Sequence, residues 1–538
     1  MGRRSARPWV CVFVACLASA GVCGGRRRWR QHKRVHVPGV KRLSKGQAAQ
    51  AAELFGRIVA ARPDEDESLL WLAAAQAQQD QLEAAVQTAK KALEAGLPPG
   101  RFYAGPRHIL EPLVKAQAFQ KLMADRAVRL VHGPMVGCVT DTSARFWLRT
   151  ASESKVQVAV SHPRRLQQPR QSKPIRTKKD ADYTAVLEVG HLEPNTAYHY
   201  AVIIDGKPVK REEPYRFRTF PAAGKGAAFT VGFGGGAGWV PPHERMWDTI
   251  AKHQPLAFLF LGDNVYIDTP TMPDIQRYCY YRRQSQPQFR RFVSATAIYA
   301  IWDDHDFGTN DCFPGPKVRE PAWKLPVYHI FRQNWVNPGY GGGTDETPGC
   351  WFDFVIGDVH FLLTDGRYYR EHPKRVEEPS MLGPVQKKWL LGRLKASKGT
   401  FKVLCSGTPW AYGAKPGSRD PWQGFKAERK EIFDFIEQNR IDGVILVSAD
   451  RHRSDVWKLD RRVGYPLYEF ESSRLTNQHR HGSMKNSQCL FSYNAKQSFG
   501  LLAFDTTKPD PGVTYRVINI DDKEIHTFTV TKSQLTPK

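Results

Sequence analysis

The sequence predicts a mixed α/β protein: an α/β unit over residues 222–538, preceded by a small β-sandwich at 131–221 and a short helical region at 43–130. Three observations carry that prediction. Ala, Gln, Leu and Glu recur at helical spacing between Leu43 and Leu97. Ala144-Arg-Phe-Trp-Leu148 and Val156-Gln-Val-Ala-Val160 alternate at period two. From Phe229 onward, apolar runs of buried-strand type alternate with helical or loop segments. The 538 residues exceed the ~100–200 of one ordinary domain, and 41% apolar with 11% aromatic content excludes a disordered chain. With 79 Lys plus Arg against 53 Asp plus Glu, the net charge is +26, which favours polyanionic partners: a phosphate-rich substrate, nucleic acid or an anionic envelope surface. The charge is spread along the chain, so it also reads as a solvated basic surface.

The N-terminus speaks to location. Met1 to Pro8 carries Arg3, Arg4 and Arg7; an apolar stretch follows from Trp9 to Val22, with Ala18-Ser19-Ala20 as a small-x-small exit. This predicts a secretory signal peptide at 1–20 and export to a periplasmic or extracellular space. An uncleaved N-terminus holding the chain at the membrane is the alternative. Residues 21–42 read as a basic linker whose core, Arg26 to Arg34, suits an anionic surface. Cleavage after Ala20 leaves seven cysteines at irregular spacing without a CxxC pair, which makes no disulfide framework and leaves room for one or two bridges.

In the helical region, Pro63-Asp-Glu-Asp66 breaks the run, Trp71-Leu72 opens the next helix, and Leu82 starts another that ends at Gly96-Leu-Pro-Pro-Gly100. The pattern resembles about one and a half tetratricopeptide repeats, below the ~3 that a stable stack needs. It reads as a docking element for a protein partner, or as a hairpin packed on its own chain. Within 131–221, Leu192-Glu-Pro-Asn-Thr-Ala-Tyr198-His-Tyr200 resembles the strand of fibronectin type III sandwiches in which a tyrosine closes a corner.

The chemistry lies after Phe229. Leu261 leads into Gly262-Asp263-Asn264-Val265-Tyr266, and Ile301 into Trp302-Asp303-Asp304-His305-Asp306. Leu363 leads into Thr364-Asp365-Gly366-Arg367, and Val447 into Ser448-Ala449-Asp450-Arg451-His452. Ligand sites in open α/β sheets lie beyond the carboxyl ends of strands, so four such ends converge on one crevice. Carboxylates gathered there repel one another unless cations sit among them. Oxygen and imidazole donors without thiolates suit hard or borderline divalent or trivalent ions, and the count of donors suits two.

Gly262-Asp263, Asp304-His305-Asp306 and Asp450-x-His452 resemble the sequence blocks of metallophosphoesterases. With Tyr266, Trp302-Asp303 and Asp365-x-Arg367, the set is similar to the alkaline phosphatase D (PhoD-like) branch over residues 131 to 520. The resemblance implies an αββα sheet sandwich and an exported, metal-dependent phosphatase or phosphodiesterase that uses a metal-activated water. It implies two ions, Ca and Fe first, with Zn or Mn as alternatives. Asp263, Tyr266, Asp304, Asp450 and His452 would hold the metals. His305 would assist the reaction, Arg367 would act in catalysis and grip the substrate phosphate, and Asn264 and Asp365 would line the substrate. Nucleic acid enters only as a substrate, since no nucleic-acid-binding fold is recognisable.

One departure stands out. The family's first strand usually ends in a ligand, whereas here it ends Phe233-Gly-Gly-Gly236-Ala-Gly238, and glycine has no side chain to donate. His243 or Glu244 could swing in instead; otherwise the site holds fewer ligands, a different metal or one weakly held ion, or the chain is a catalytically degenerate binding protein working through its helical repeat and β-sandwich. Arg277 to Ser285, basic and aromatic, reads either as a receptor for a base or aryl group or as an amphipathic helix on the sheet.

Overall fold

A computed structural model describes residues 35–126, 128–461 and 463–537. The expected signal peptide and Arg26 to Arg34 lie outside the described residues. The expected linker ends sooner than residue 42, because Val37–Ser44 is helical, with Pro38 in its first turn where a missing N–H costs nothing.

The helices Ala48–Ala61, Asp66–Ala77 and Leu82–Glu94 are separated at the breaks expected at Pro63 and Asp80, and the middle one opens at Asp66, before the expected Trp71. Glu65 caps the second of them by accepting from Ser68 N at 2.7 Å, and it also contacts His36 Nε2 at 3.1 Å. The region folds onto its own chain. The Trp71 ring packs edge-on against Tyr278 at 5.5 Å, and Arg101, paired with Glu67 at 2.6 Å, lies over the same two rings. Tyr278 belongs to helix Pro273–Gln284, whose Tyr280, Tyr281, Arg282 and Arg283 are also buried. Of the two readings of that segment, the structure shows the packed helix.

The β-region is two layers. Leu130–Gly137, Ala144–Thr150 and Thr184–Val189 make one; Lys155–His162 and Ala197–Ile204 anchor the other. Phe146 fills the space between them, 4.7 Å from Tyr200 and 5.3 Å from Phe217. The first layer is not self-contained, as residues 131–221 had suggested. Gly137 pairs in parallel with Ile298, so this layer continues into the main sheet. A Cβ at Gly137 would lie 2.5 Å from Val336 Cγ1, so glycine permits the close approach.

Two large sheets form the rest. One has nine strands, with Ala228–Gly234, Ala257–Leu261 and Ala297–Ile301 parallel at its centre. The chain's last three strands, Ser498–Asp505, Gly512–Asn519 and Glu524–Thr531, extend it antiparallel. The other has seven strands, with Val359–Leu363, Phe401–Cys405, Val444–Ser448 and Leu467–Ser472 parallel. Every residue of the runs at 257–261, 297–301, 359–363, 401–405 and 444–448 is buried, which explains why they read as continuous apolar runs rather than alternating ones. The inner faces meet through aromatic pairs: Phe361 and Phe401 against Phe504, and Phe470 against Tyr515. Helices cover the outer faces; Trp247 of Met246–Lys252, for example, packs on Phe260 at 5.8 Å. The six cysteines among the described residues are free thiols. No helix of the described residues is long and apolar enough to cross a membrane.

Candidate metal centre

The strand ends at Gly234, Leu261, Ile301, Leu363 and Ser448 open into irregular turns that carry the candidate groups. Asp263, Tyr266, Asp450 and His452 all adopt left-handed backbone, with φ of 54°, 53°, 69° and 52°. Such conformations cost ~1–3 kcal/mol each and persist only where neighbours over-determine them. Asp306 is one such neighbour. Its carboxylate accepts from Asn264 N at 2.9 Å, Asn264 Nδ2 at 3.1 Å and Val265 N at 2.9 Å, bracing the turn that presents Asp263. Gly262 is required at φ 102°, since a Cβ would fall 2.3 Å from Asp303 Cβ.

Asp263, Asp304 and His305 each offer a ligand atom within 4.8 Å of the others. Asp263 is buried, and its Oδ1 has no hydrogen-bond partner. Burial, reinforced by Asp304, Asp303 and Asp306 and opposed by His305, holds its carboxyl well above the usual range. Asp304 goes the other way: burial alone would raise it, but Arg367 and His305 outweigh burial and keep it low. It accepts from Asp311 N at 2.6 Å and His305 N at 3.0 Å. His305 is braced at Nδ1 by Asp268. Burial would discharge this imidazole, yet Asp263, Asp304 and Asp268 raise it to about 10.

A second group adjoins the first. The Tyr266 hydroxyl lies 2.8 Å from His452 Nε2, and the Tyr266 ring sits 4.7 Å from that of His305. His452, His479 and His481 again place ligand atoms within 4.8 Å of one another. Asp450 belongs to neither group of three; it stands 4.0 Å from Lys415 Nζ and 3.5 Å from Arg451. The glycine run forms the wall between strands and site. Gly236 N donates to Gly262 O at 3.2 Å and Ala237 N to Asp263 O at 2.8 Å, while a Cβ on Gly236 would meet His452 Cδ2 at 3.3 Å.

Three residues expected at the substrate are engaged by the protein's own groups. Arg367 is fully buried: Nε donates to Asp303, Nη1 to Asp420 at 2.6 Å, and Nη2 lies 3.8 Å from Asp304. Its guanidinium, without exposed surface, is engaged by these three carboxylates. Asp365, also fully buried, accepts from Trp302 Nε1, Cys350 N, Arg367 N and Tyr368 N at 2.8–3.1 Å, which saturates it. Asn264 spends its amide N–H groups on Ile301 O and Asp306 and keeps only a buried, unpartnered Oδ1. The substitutes imagined for the first-strand ligand are committed elsewhere: His243 Nδ1 donates to Thr476 O at 2.9 Å, and Glu244 takes Arg283 at 2.6 Å and Trp247 at 2.7 Å.

The donor set fits metal ions. Buried acceptors without partners (Asp263 Oδ1, Asn264 Oδ1, Asp303 Oδ2, His452 Nδ1) cluster at these strand-end turns, and leaving such atoms unpaired costs ~1–3 kcal/mol each. Sequence reasoning missed Asp268, Asp420, Lys415, His479 and His481. Only the last two left a signal, the His-x-His spacing four residues after Leu475.

A PhoD-like phosphatase family model matches residues 230–502, more than half of the chain, and a domain of unknown function (DUF7800) matches 127–222. Alkaline phosphatase D of Bacillus subtilis (strain 168) is 22% identical over 362 residues, 55% of this chain and 61% of that protein. The chain thus spans under two thirds of that relative's length. Among solved structures, PhoD superposes with a TM-score of 0.59 at 17% identity, covering 74% of this chain and 92% of that one. A purple acid phosphatase, PPD1 from yellow lupin (Lupinus luteus) seeds, gives 0.54 at 11% identity, covering 75% of each. The two structural likenesses show a shared fold, and the family match over more than half of its length places this chain in the PhoD-like phosphatase family.

Proposed function

We propose that this chain is an exported, metal-dependent hydrolase of phosphoric esters. Asp263, Tyr266, Asp304, Asp450 and His452 would hold its ions, and His305 would serve the leaving group. One observation carries this reading: buried carboxylates with unpartnered oxygens meet an imidazole cluster at the carboxyl ends of both sheets. Oxygen donors from Asp263, Asp304 and Tyr266 suit hard ions such as Ca²⁺ or Fe³⁺. Bound there, ions supply Lewis acidity and an acidified water nucleophile. Asp268 fixes the His305 ring through Nδ1, which leaves Nε2 as the nitrogen that gives a proton to the departing alkoxide. The basic surface draws anionic esters towards the crevice. The facing layers at 130–218 support reading them as a fibronectin-type scaffold, and the helices before them as a tetratricopeptide-like cap folded onto its own chain.

Chelator-stripped protein reloaded with Ca²⁺, Fe³⁺, Mn²⁺ or Zn²⁺ is expected to hydrolyse a nitrophenyl monoester or diester. His305→Ala retains the metal and slows turnover ~10²–10⁴-fold. Metal uptake without turnover on any ester would instead support a binding protein descended from an enzyme.

A further inference from the structure

We propose that the outer edge of the second β-layer docks onto an anionic lipid bilayer. Between Pro163 and Asp180 the chain places Arg164, Arg165, Arg170, Lys173, Arg176, Lys178 and Lys179 and no acidic residue. All seven are exposed, and among the described residues no carboxylate stands within ion-pair distance of any of them. Surface cations elsewhere are partnered: Arg145, Arg216 and Lys252 each face a carboxylate. Strand pairing sets the unpartnered group along one line. Arg165–Gln171 and Ile175–Arg176 lie in succession on one side of Lys155–His162, and Ala197–Ile204 takes the other side. Residues 165–176 are therefore an edge of up to ~40 Å, at ~3.3 Å per residue. Charges on an edge strand deter pairing with other chains, and these serve that end too. Deterrence does not account for their single sign or their placement. Lys155 and Arg176 are direct partners across the ladder, and like charges so placed destabilise a sheet. An anionic surface against the edge offsets that repulsion. A bilayer fits this edge better than a nucleic acid does. Residues 163–179 hold no aromatic ring to stack on a base. They do hold Ile175, 38% exposed between Lys173 and Arg176. An apolar side chain flanked by cations enters the headgroup boundary while the long basic stems keep their charges among the phosphates.

Sedimentation of the full chain with phosphatidylcholine vesicles, with and without phosphatidylglycerol, tests the edge. Wild type is expected to bind more tightly when phosphatidylglycerol is present and to lose that gain at high salt. Each cation near an anionic surface strengthens binding roughly 5-fold, so Arg170→Gln/Lys173→Gln/Arg176→Gln should weaken binding to the anionic vesicles about 100-fold. These exposed residues lie outside the candidate metal centre, so the urea midpoint of the triple variant and its turnover of a soluble nitrophenyl ester should match wild type. Ile175→Asn leaves the charge unchanged and should weaken vesicle binding several-fold at either salt. A wild type that gains nothing from phosphatidylglycerol overturns the proposal. So does a triple variant that binds as tightly as wild type, since the binding then belongs to another part of the chain, Arg26 to Arg34 included. An unchanged affinity in Ile175→Asn overturns the bilayer as occupant, as does a chain that binds duplex DNA through the same cations and leaves the vesicles free. None of these outcomes bears on the hydrolase reading, which ester cleavage by the metal-loaded protein tests by itself.

Discussion

Replacing Arg367 with methionine tests whether this guanidinium grips substrate or holds the protein's own carboxylates apart. Arg367 is fully buried and contacts Asp303, Asp420 and Asp304. Asp420 survives its loss, because Arg370 Nη1 at 2.5 Å and Lys415 Nζ at 3.1 Å remain. Asp303 does not: its Oδ1 loses its cation, and its Oδ2 already lacks a partner. Removing one member of a buried pair costs ~3–5 kcal/mol. Burial, against the pull of Arg367, has already raised the Asp303 carboxyl to about 8, so protonation absorbs part of the loss and the lower end, ~3 kcal/mol, applies. The expected result is a lower urea midpoint and weaker metal retention, with KM for a nitrophenyl ester changed by less than ~3-fold in whatever protein stays folded and loaded. Arg367→Met/Asp303→Asn recovers most of the stability, since removing both partners is nearly neutral where removing one is not. A single variant with wild-type stability and a KM raised ten-fold or more at constant kcat would refute this reasoning and restore Arg367 as a phosphate clamp.

Three further outcomes follow from the geometry. Asp263→Asn removes a carboxyl whose ionisation burial and Asp304, Asp303 and Asp306 oppose, so in chelator its urea midpoint should equal or exceed that of wild type; the ion-induced stabilisation, ~2.7 kcal/mol at 100 times Kd, should vanish. Glu65→Gln tests the helical region. Burial would raise this carboxyl, but His36 and Ser68 outweigh burial and hold it down to about 2 from 4.5. The group therefore stabilises the fold above pH 4.5 and loses that contribution as pH falls towards 2. Denaturation should show Glu65→Gln weaker by ~3 kcal/mol at pH 6 and equal to wild type near pH 2. Gly236→Ala sets a Cβ 3.3 Å from His452 Cδ2 at φ 70°; it should cost ~1–2 kcal/mol in thermal unfolding and lower metal affinity by displacing His452.

Much of this was legible in the sequence where function is written locally. A fully buried strand followed by Gly-Asp or Asp-His-Asp is a short pattern, and Asp263, Asp304 and His305 do meet. The burial of Arg367 and Asp365 was not legible, because an arginine next to a strand-end aspartate looks the same whether it faces an anion or a buried carboxylate. Burial decides between the two, and burial depends on the loop that brings Asp420, fifty-three residues on, against it. His479 and His481 escaped notice because they follow a strand of the second sheet through a loop with no regular pattern. The merging of the first β-layer with the main sheet was invisible for a related reason: pairing partners in a parallel ladder share no local signature, and Gly137 and Ile298 lie far apart in the chain.

That merging bears on how the molecule can be dissected. Family boundaries at 127–222 and 230–502 invite excision of the second segment alone. Cutting there would strip the neighbour from strand Ala297–Ile301, whose far end carries Asp304 and His305, and leave a wholly apolar edge with unpaired amides. Such an edge recruits other chains instead of water. The shortest piece expected to stay monodisperse therefore begins no later than Leu130, and an insoluble fragment starting at residue 230 would say nothing about catalysis.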